Sequence, residues 1–103
     1  MASKKSIRDS LMLQLRLRGA DIPALVDMVD QYMTLWQIAA TLRDDIDTRG
    51  VVYKDFSSVG VEMWKNNPSV SELNRITTQM AKLLQQLKIS TDSVMSDDDD
   101  DEL

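Results

Sequence analysis

Five cations crowd the start of the chain: Lys4, Lys5, Arg8, Arg16 and Arg18 stand against one acid, Asp9, within residues 1–18. Flexible and forked cations at this density suit phosphate contacts, so the segment is the candidate surface for a polyanion. A solubilising surface is the plainer reading of the same residues. These residues carry no helix-turn-helix signature, so base-specific readout is not expected from them.

The opposite end is as acidic as the start is basic. Asp97, Asp98, Asp99, Asp100, Asp101 and Glu102 follow one another without interruption. Such a run repels itself and buries nothing, so residues 91–103 are expected to be a disordered tail. It reads as a mimic of DNA, as a ligand for a basic partner, or as a solubility tail; attraction of the first two kinds fades as salt rises. The net charge of −5 therefore hides a positive head and a negative tail, a pattern that concerns partners rather than fold.

Other candidate chemistry is weaker. Asp44, Asp45 and Asp47 could supply oxygen ligands to a hard cation. They lie at the end of an amphipathic helix with Arg43 and Arg49, where a solvated polar face is the ordinary explanation. Trp36, Trp64, Tyr53 and Phe56 could stack on single-stranded bases. Trp36 falls in an apolar stripe and is expected in the core, whereas Trp64 either anchors a hairpin or contacts a neighbouring subunit. The chain has no His and no Cys, and no Gly-rich phosphate loop. No catalysis, cofactor, metal site or disulfide is expected from it.

These residues must be positioned by helices. Aromatics make up 5%, Gly numbers 3 and Pro 2 in 103 residues, while Leu, Met, Gln, Lys and Arg are abundant, a balance that favours helix over a β-sandwich. No apolar run approaches the roughly 20 residues that span a bilayer, and the first residues lack the apolar stretch of a signal peptide. A cytoplasmic compartment is expected. A small chain without staples is also a candidate for gaining stability by oligomerising.

Residues 1–19 form the basic N-terminal helix of this reading. Leu11, Leu13, Leu15 and Leu17 alternate in a strand-like way, but Ile7, Leu11 and Leu15 keep helical spacing, and composition decides for helix, with Gly19 as its stop. Residues 20–90 form the core. Asp21 is the expected cap of a second helix, Pro23 its first turn and Gly50 its end, giving roughly 27 residues or about 40 Å. Two apolar stripes run along it: Leu25, Met28, Tyr32, Leu35, Ala39, Leu42, Ile46, and Ile22, Val26, Val29, Met33, Trp36, Ala40. Together they make a face too wide for one partner, so two neighbours are expected. Val51–Phe56, a Ser/Gly turn and a second β-prone run predict a hairpin near 51–66, which must pack on helices or pair with another copy. Asn67 and Pro68 open a third helix, with Glu72 in its first turn and Lys82 and Lys88 near its end. Its apolar positions Leu73, Ile76, Met80, Leu83 and Leu87 step by three and four, a heptad over about two repeats that a coiled coil and a helical hairpin share, and the hairpin with the second helix is expected.

The order of these parts resembles the phage terminase small subunits. A Gly-terminated helix (Gly50) precedes a variable hairpin, then Lys65, Asn67 and Pro68, then a helix ending in Leu84, Leu87, Ile89 and Ser90, with Leu73 within it. The resemblance spans about residues 20–95. It implies a non-catalytic helical protein that assembles into a ring, binds viral double-stranded DNA near the packaging start, and regulates the large terminase subunit, which holds the ATPase and nuclease. On that reading Lys4, Lys5, Arg8, Arg16 and Arg18 bind DNA. The acidic run 97–102 contacts the large subunit. Val26, Val29, Met33, Trp36, Leu73, Ile76, Met80, Leu83 and Leu87 serve oligomerisation, the wide face of the second helix giving one flank to each neighbour. The expected place of action is the cytoplasm of the infected bacterial host, outside the mature virion and away from membranes. A competing reading is a helical adaptor or inhibitor that acts through the acidic tail, and a third is a small dimeric DNA-binding regulator.

Overall fold

The computed structural model describes residues 2–89; the acidic run 97–102 lies outside the described residues. Three helices and a two-stranded antiparallel hairpin follow in the order α1 (Lys4–Leu17), α2 (Pro23–Arg49), β1 (Val52–Phe56), β2 (Glu62–Asn66) and α3 (Pro68–Gln86). α2 and α3 form a helical hairpin, and α1 packs on α2. The mainly helical reading of the sequence is the fold observed.

α1 resolves its mixed periodicity as helix. Ser3 caps it: the Ser6 N–H donates to the Ser3 hydroxyl at 3.1 Å. At the far end the Gly19 and Ala20 N–H groups donate to the Arg16 and Leu15 carbonyls at 3.0 and 2.8 Å. This is a Schellman closure, and Gly19 takes the left-handed conformation it needs at φ 65°.

α2 begins one residue later than a cap at Asp21 requires. Its N-cap is Ile22, which makes no side-chain capping bond. Pro23 at the first helical position holds the preceding residue extended (φ −80°, ψ 155°), and Asp21 therefore lies outside the capping position. α3 is capped as the sequence suggests, with the Asn67 side chain accepting from the Ser69 N–H at 2.9 Å. Its first turn holds no acid and its last no base. Glu72 lies beyond that turn, bound to Arg75 at 2.8 Å, and Lys88 lies past the cap.

The wide apolar face of α2 does meet two neighbours, and both belong to the same chain. Leu11 and Leu15 of α1, Val29 and Met33 of α2 and Leu87 after α3 make one core cluster; Ala39, Ile76 and Met80 make a second. Tyr32 and Trp36 are half-buried and pack against both. Burying a Leu or Met side chain is worth roughly 1.5–3 kcal/mol, so these contacts dominate the fold.

The hairpin stands apart from both clusters, and none of residues 51–66 is buried. Its register pairs Tyr53 with Lys65 and Lys54 with Trp64. A polar network closes its neck. The Asn67 N–H donates to the Val51 carbonyl at 2.8 Å, and its side-chain amide donates to the Gly50 carbonyl at 2.9 Å. Arg49 donates to both oxygens of Asp45 at 2.8 Å and to the Asn67 side-chain oxygen at 3.0 Å. The Ser69 hydroxyl donates to Asp45 at 2.7 Å. Arg49, then Ser69, hold the Asp45 carboxyl far below the usual carboxylate range.

Candidate nucleic-acid interface

Lys5, Asp9 and Arg16 share one side of α1, since steps of four and seven residues return to the same face of a helix. Arg8 stands beside them. The Lys5 ammonium donates to the Asp9 carboxylate, with N and O 2.6 Å apart. That bond, with the charges of Lys5, Arg8 and Arg16 behind it, holds the Asp9 carboxyl below its ordinary value. Lys5 thus binds Asp9 and Arg8 binds Asp30 on an exposed flank, with Arg16 exposed further along the helix and Lys4 adding a fourth positive charge at its N-terminal end.

The ion pairs on this flank are open to exchange. Lys5 and Asp9 are 86% and 57% exposed, and Arg8, which reaches Asp30 of α2 at 3.1 Å, is 43% exposed. Exposed pairs of this kind contribute little to stability. A phosphate can take either cation at little cost.

Arg18 is engaged differently. Its guanidinium donates to the carbonyls of Leu87 at 2.6 Å and Lys88 at 2.9 Å. These groups follow the end of α3, where Lys88 takes the left-handed conformation at φ 58°. The structure therefore brings Lys4, Lys5, Arg8 and Arg16 together as accessible charge and gives Arg18 a bridging position between α1 and α3.

The residues expected to serve oligomerisation divide by burial. Val29, Met33, Ile76, Met80 and Leu87 are buried in the chain's own core. They are not accessible to another copy in this fold, because the three helices of the chain cover them against one another. Val26, Trp36, Leu73 and Leu83 are partly exposed. Much of the remaining exposed apolar surface lies on the hairpin, where Val52, Phe56, Val59, Val61 and Trp64 are 48%, 65%, 81%, 61% and 64% exposed. Sequence reading singled out Phe56 and Trp64 there but not the valines, although their density in a short β-prone stretch was the available signal.

The hairpin's charges are internally matched. Lys54 binds Glu62 at 2.9 Å and lies 5.3 Å from the Trp64 ring centroid; Lys65 binds Asp55 at 3.0 Å. The latter pair lowers the Asp55 carboxyl and raises the Lys65 ammonium from their usual values. With two cations against two acids, this element offers apolar contact and little attraction for phosphate.

Asp45 is occupied by Arg49 and Ser69, and among the described residues no cluster of three or more His, Cys, Asp or Glu side chains could hold a metal ion. Among those residues no helix is long and apolar enough to cross a membrane.

No curated protein and no solved structure matches the chain. A family model does, that of the phage terminase small subunit, over residues 5–96. The match takes in the basic flank of α1, the helical hairpin and the β-hairpin between its arms. The chain belongs to the phage terminase small-subunit family, and its role lies in phage DNA packaging.

Proposed function

We propose that the protein binds viral double-stranded DNA through the exposed flank of α1 and brings the large terminase subunit to it, to initiate packaging into the procapsid. The observation that carries this reading is the exposed α1 flank, where Lys5 and Arg8 make only solvent-exposed ion pairs and Arg16 stands exposed beyond them, inside the region that matches a packaging family. Lys4 extends the same charge. Arg18 contributes by fixing α1 against α3. Phosphate contacts of this kind give affinity without sequence information. The acidic run 97–102 is the proposed contact to the large subunit, an electrostatic attachment that weakens with salt.

Copies are proposed to assemble into a ring. Support comes from the apolar hairpin, since a two-stranded hairpin is marginal in water without a covering surface, and this one receives little cover from its own helices. Its Val52, Phe56 and Trp64 side chains, with the partly exposed Val26, Trp36, Leu73 and Leu83, form the proposed contacts between copies.

Two measurements test the reading. Native mass spectrometry of the full chain should give one closed multi-subunit mass, and a stable monomer at micromolar concentration would refute the ring. DNA binding measured against salt should lose about two units of slope when Lys5 and Arg16 are both changed to Gln, at roughly 0.9 per phosphate contact. An unchanged slope would remove α1 from the DNA interface.

A further inference from the structure

The hairpin has no buried residue, so something other than a core must set its direction. Neither core cluster takes a member from residues 52–66, and the ion pairs of the strands run between the strands themselves. The chain enters and leaves through the neck at Gly50, Val51 and Asn67. Two backbone strands side by side close the loop there but leave it free to tilt. Arg49 reaches past the neck from the helical frame, and its guanidinium lies over the Tyr53 ring, 4.8 Å from the centroid. The same group donates to both carboxylate oxygens of Asp45 at 2.8 Å and to the Asn67 side-chain oxygen at 3.0 Å. It is thereby fixed to the last turn of α2 and to the cap of α3, and its planar fork gives the ring a rigid seat.

Tyr53 decides which face of the hairpin looks outward. Side chains alternate along a strand, so Tyr53, Asp55 and Lys65 share one face of the ladder, and Val52, Phe56 and Trp64 share the other. The first set is half-buried and the second exposed. A guanidinium held against Tyr53 therefore turns the apolar set away from the end of α2. We infer that Arg49, acting through Tyr53, is the positioning residue that holds the hairpin at one angle on the helical frame and so presents Val52, Phe56 and Trp64 to a neighbouring copy. This inference rests on the reading above that the hairpin joins copies, and it adds the residue that aims it. A loose hairpin holds the binding angle only part of the time, and its apparent affinity falls by that fraction. An aimed one escapes the loss.

Spin labels at Ser58→Cys in the turn and Gln37→Cys on the exposed side of α2 read the angle as a distance, by pulsed electron–electron double resonance. The labelled full chain is diluted with unlabelled chain, so that each distance lies within one copy. The natural neck and Tyr53→Phe, which keeps the ring, should give one narrow distance. Tyr53→Leu and Arg49→Met should broaden it while the helical signal stays. Arg49→Met also strips Asp45 of a partner, so Tyr53→Leu, which leaves Asp45, Arg49 and Asn67 bonded, is the deciding variant. Without labels, the concentration for half-assembly should rise about 2–5-fold in Tyr53→Leu, the value of an exposed cation–π contact, and return in Tyr53→Phe. A narrow distance in Tyr53→Leu would overturn the inference, because the neck alone would then fix the angle. A broad distance with unchanged assembly would overturn it too, since aiming would not matter to the contact. If Phe56→Ser and Trp64→Ser also assemble normally, the hairpin reading itself falls, and the distances report separately on Arg49.

Discussion

Arg18 joins the first helix to the end of the last by donating to the Leu87 carbonyl at 2.6 Å, across 69 residues of sequence. The carbonyl after a helix end has no partner within the helix, and a charged donor makes a stronger bond to it than water-exposed neutral groups do. Arg18→Ala should therefore lower stability by about 1.5–3 kcal/mol, visible as a reduced denaturation midpoint. Arg18→Lys should recover only part of this, since an ammonium lacks the fork that spans both carbonyls. A variant as stable as the natural protein would show that the bridge is incidental.

Lys88 occupies the left-handed position of the same closure, at φ 58°. An L-residue there costs roughly 1–2 kcal/mol, partly offset in a Gly variant by greater freedom of the unfolded chain. Lys88→Gly should stabilise by about 0.5–1 kcal/mol. Thermal melts decide the sign.

Asn67 ties the hairpin neck to α3 while capping it. Asn67→Ala should cost about 1–2 kcal/mol, and Asn67→Asp should recover only part of it: a carboxylate keeps the acceptor that the Ser69 N–H and Arg49 use but sets an oxygen against the Gly50 carbonyl. Hydrogen exchange at Ser69 should rise in the Ala variant; unchanged protection would contradict the assigned cap.

Asp45 makes the same neck sensitive to acid. Its folded-state pKa lies below the ordinary 3.8, so the bonds it makes to Arg49 and Ser69 contribute fully above that value. Their contribution is lost as pH falls from there through the lower folded-state value. Asp45→Asn should accordingly be less stable than the natural protein at neutral pH, with the gap closing below about pH 4. A gap that stays constant down to strong acid would assign the effect to shape rather than charge.

The hairpin should be separable from folding. Phe56→Ser and Trp64→Ser remove exposed side chains (65% and 64%), so the helical signal and melting temperature of the protomer should change little. The assembled mass should fall. Variants that assemble normally would move the proposed subunit contact elsewhere.

Much of the architecture was legible because its signals are local. Pro23 and Gly50 bracket α2, Asn67 and Pro68 open α3, and the two apolar stripes announced that α2 has two partners. What a stripe does not carry is the identity of the partner. Val29 and Met33 read equally well as a surface for another copy or for α1, and only the chain's path decides between them. Arg18 shows the same gap from the polar side. It counts as one more cation in a basic cluster until the carbonyls of Leu87 and Lys88, distant in sequence, come into contact with it. The hairpin was visible in position, but its register follows from the turn at Ser57 and Gly60, where Ser57 and Val61 exchange bonds.

Because the neck is sealed by Gly50, Val51 and Asn67, everything beyond it is a detachable ornament on a helical frame. Loop closure depends only weakly on length once the ends are fixed. Lineages could lengthen, shorten or rewrite residues 52–66 while Leu15, Val29 and Ile76 keep their surroundings. Selection on what the hairpin touches can then proceed almost independently of selection on whether the chain folds.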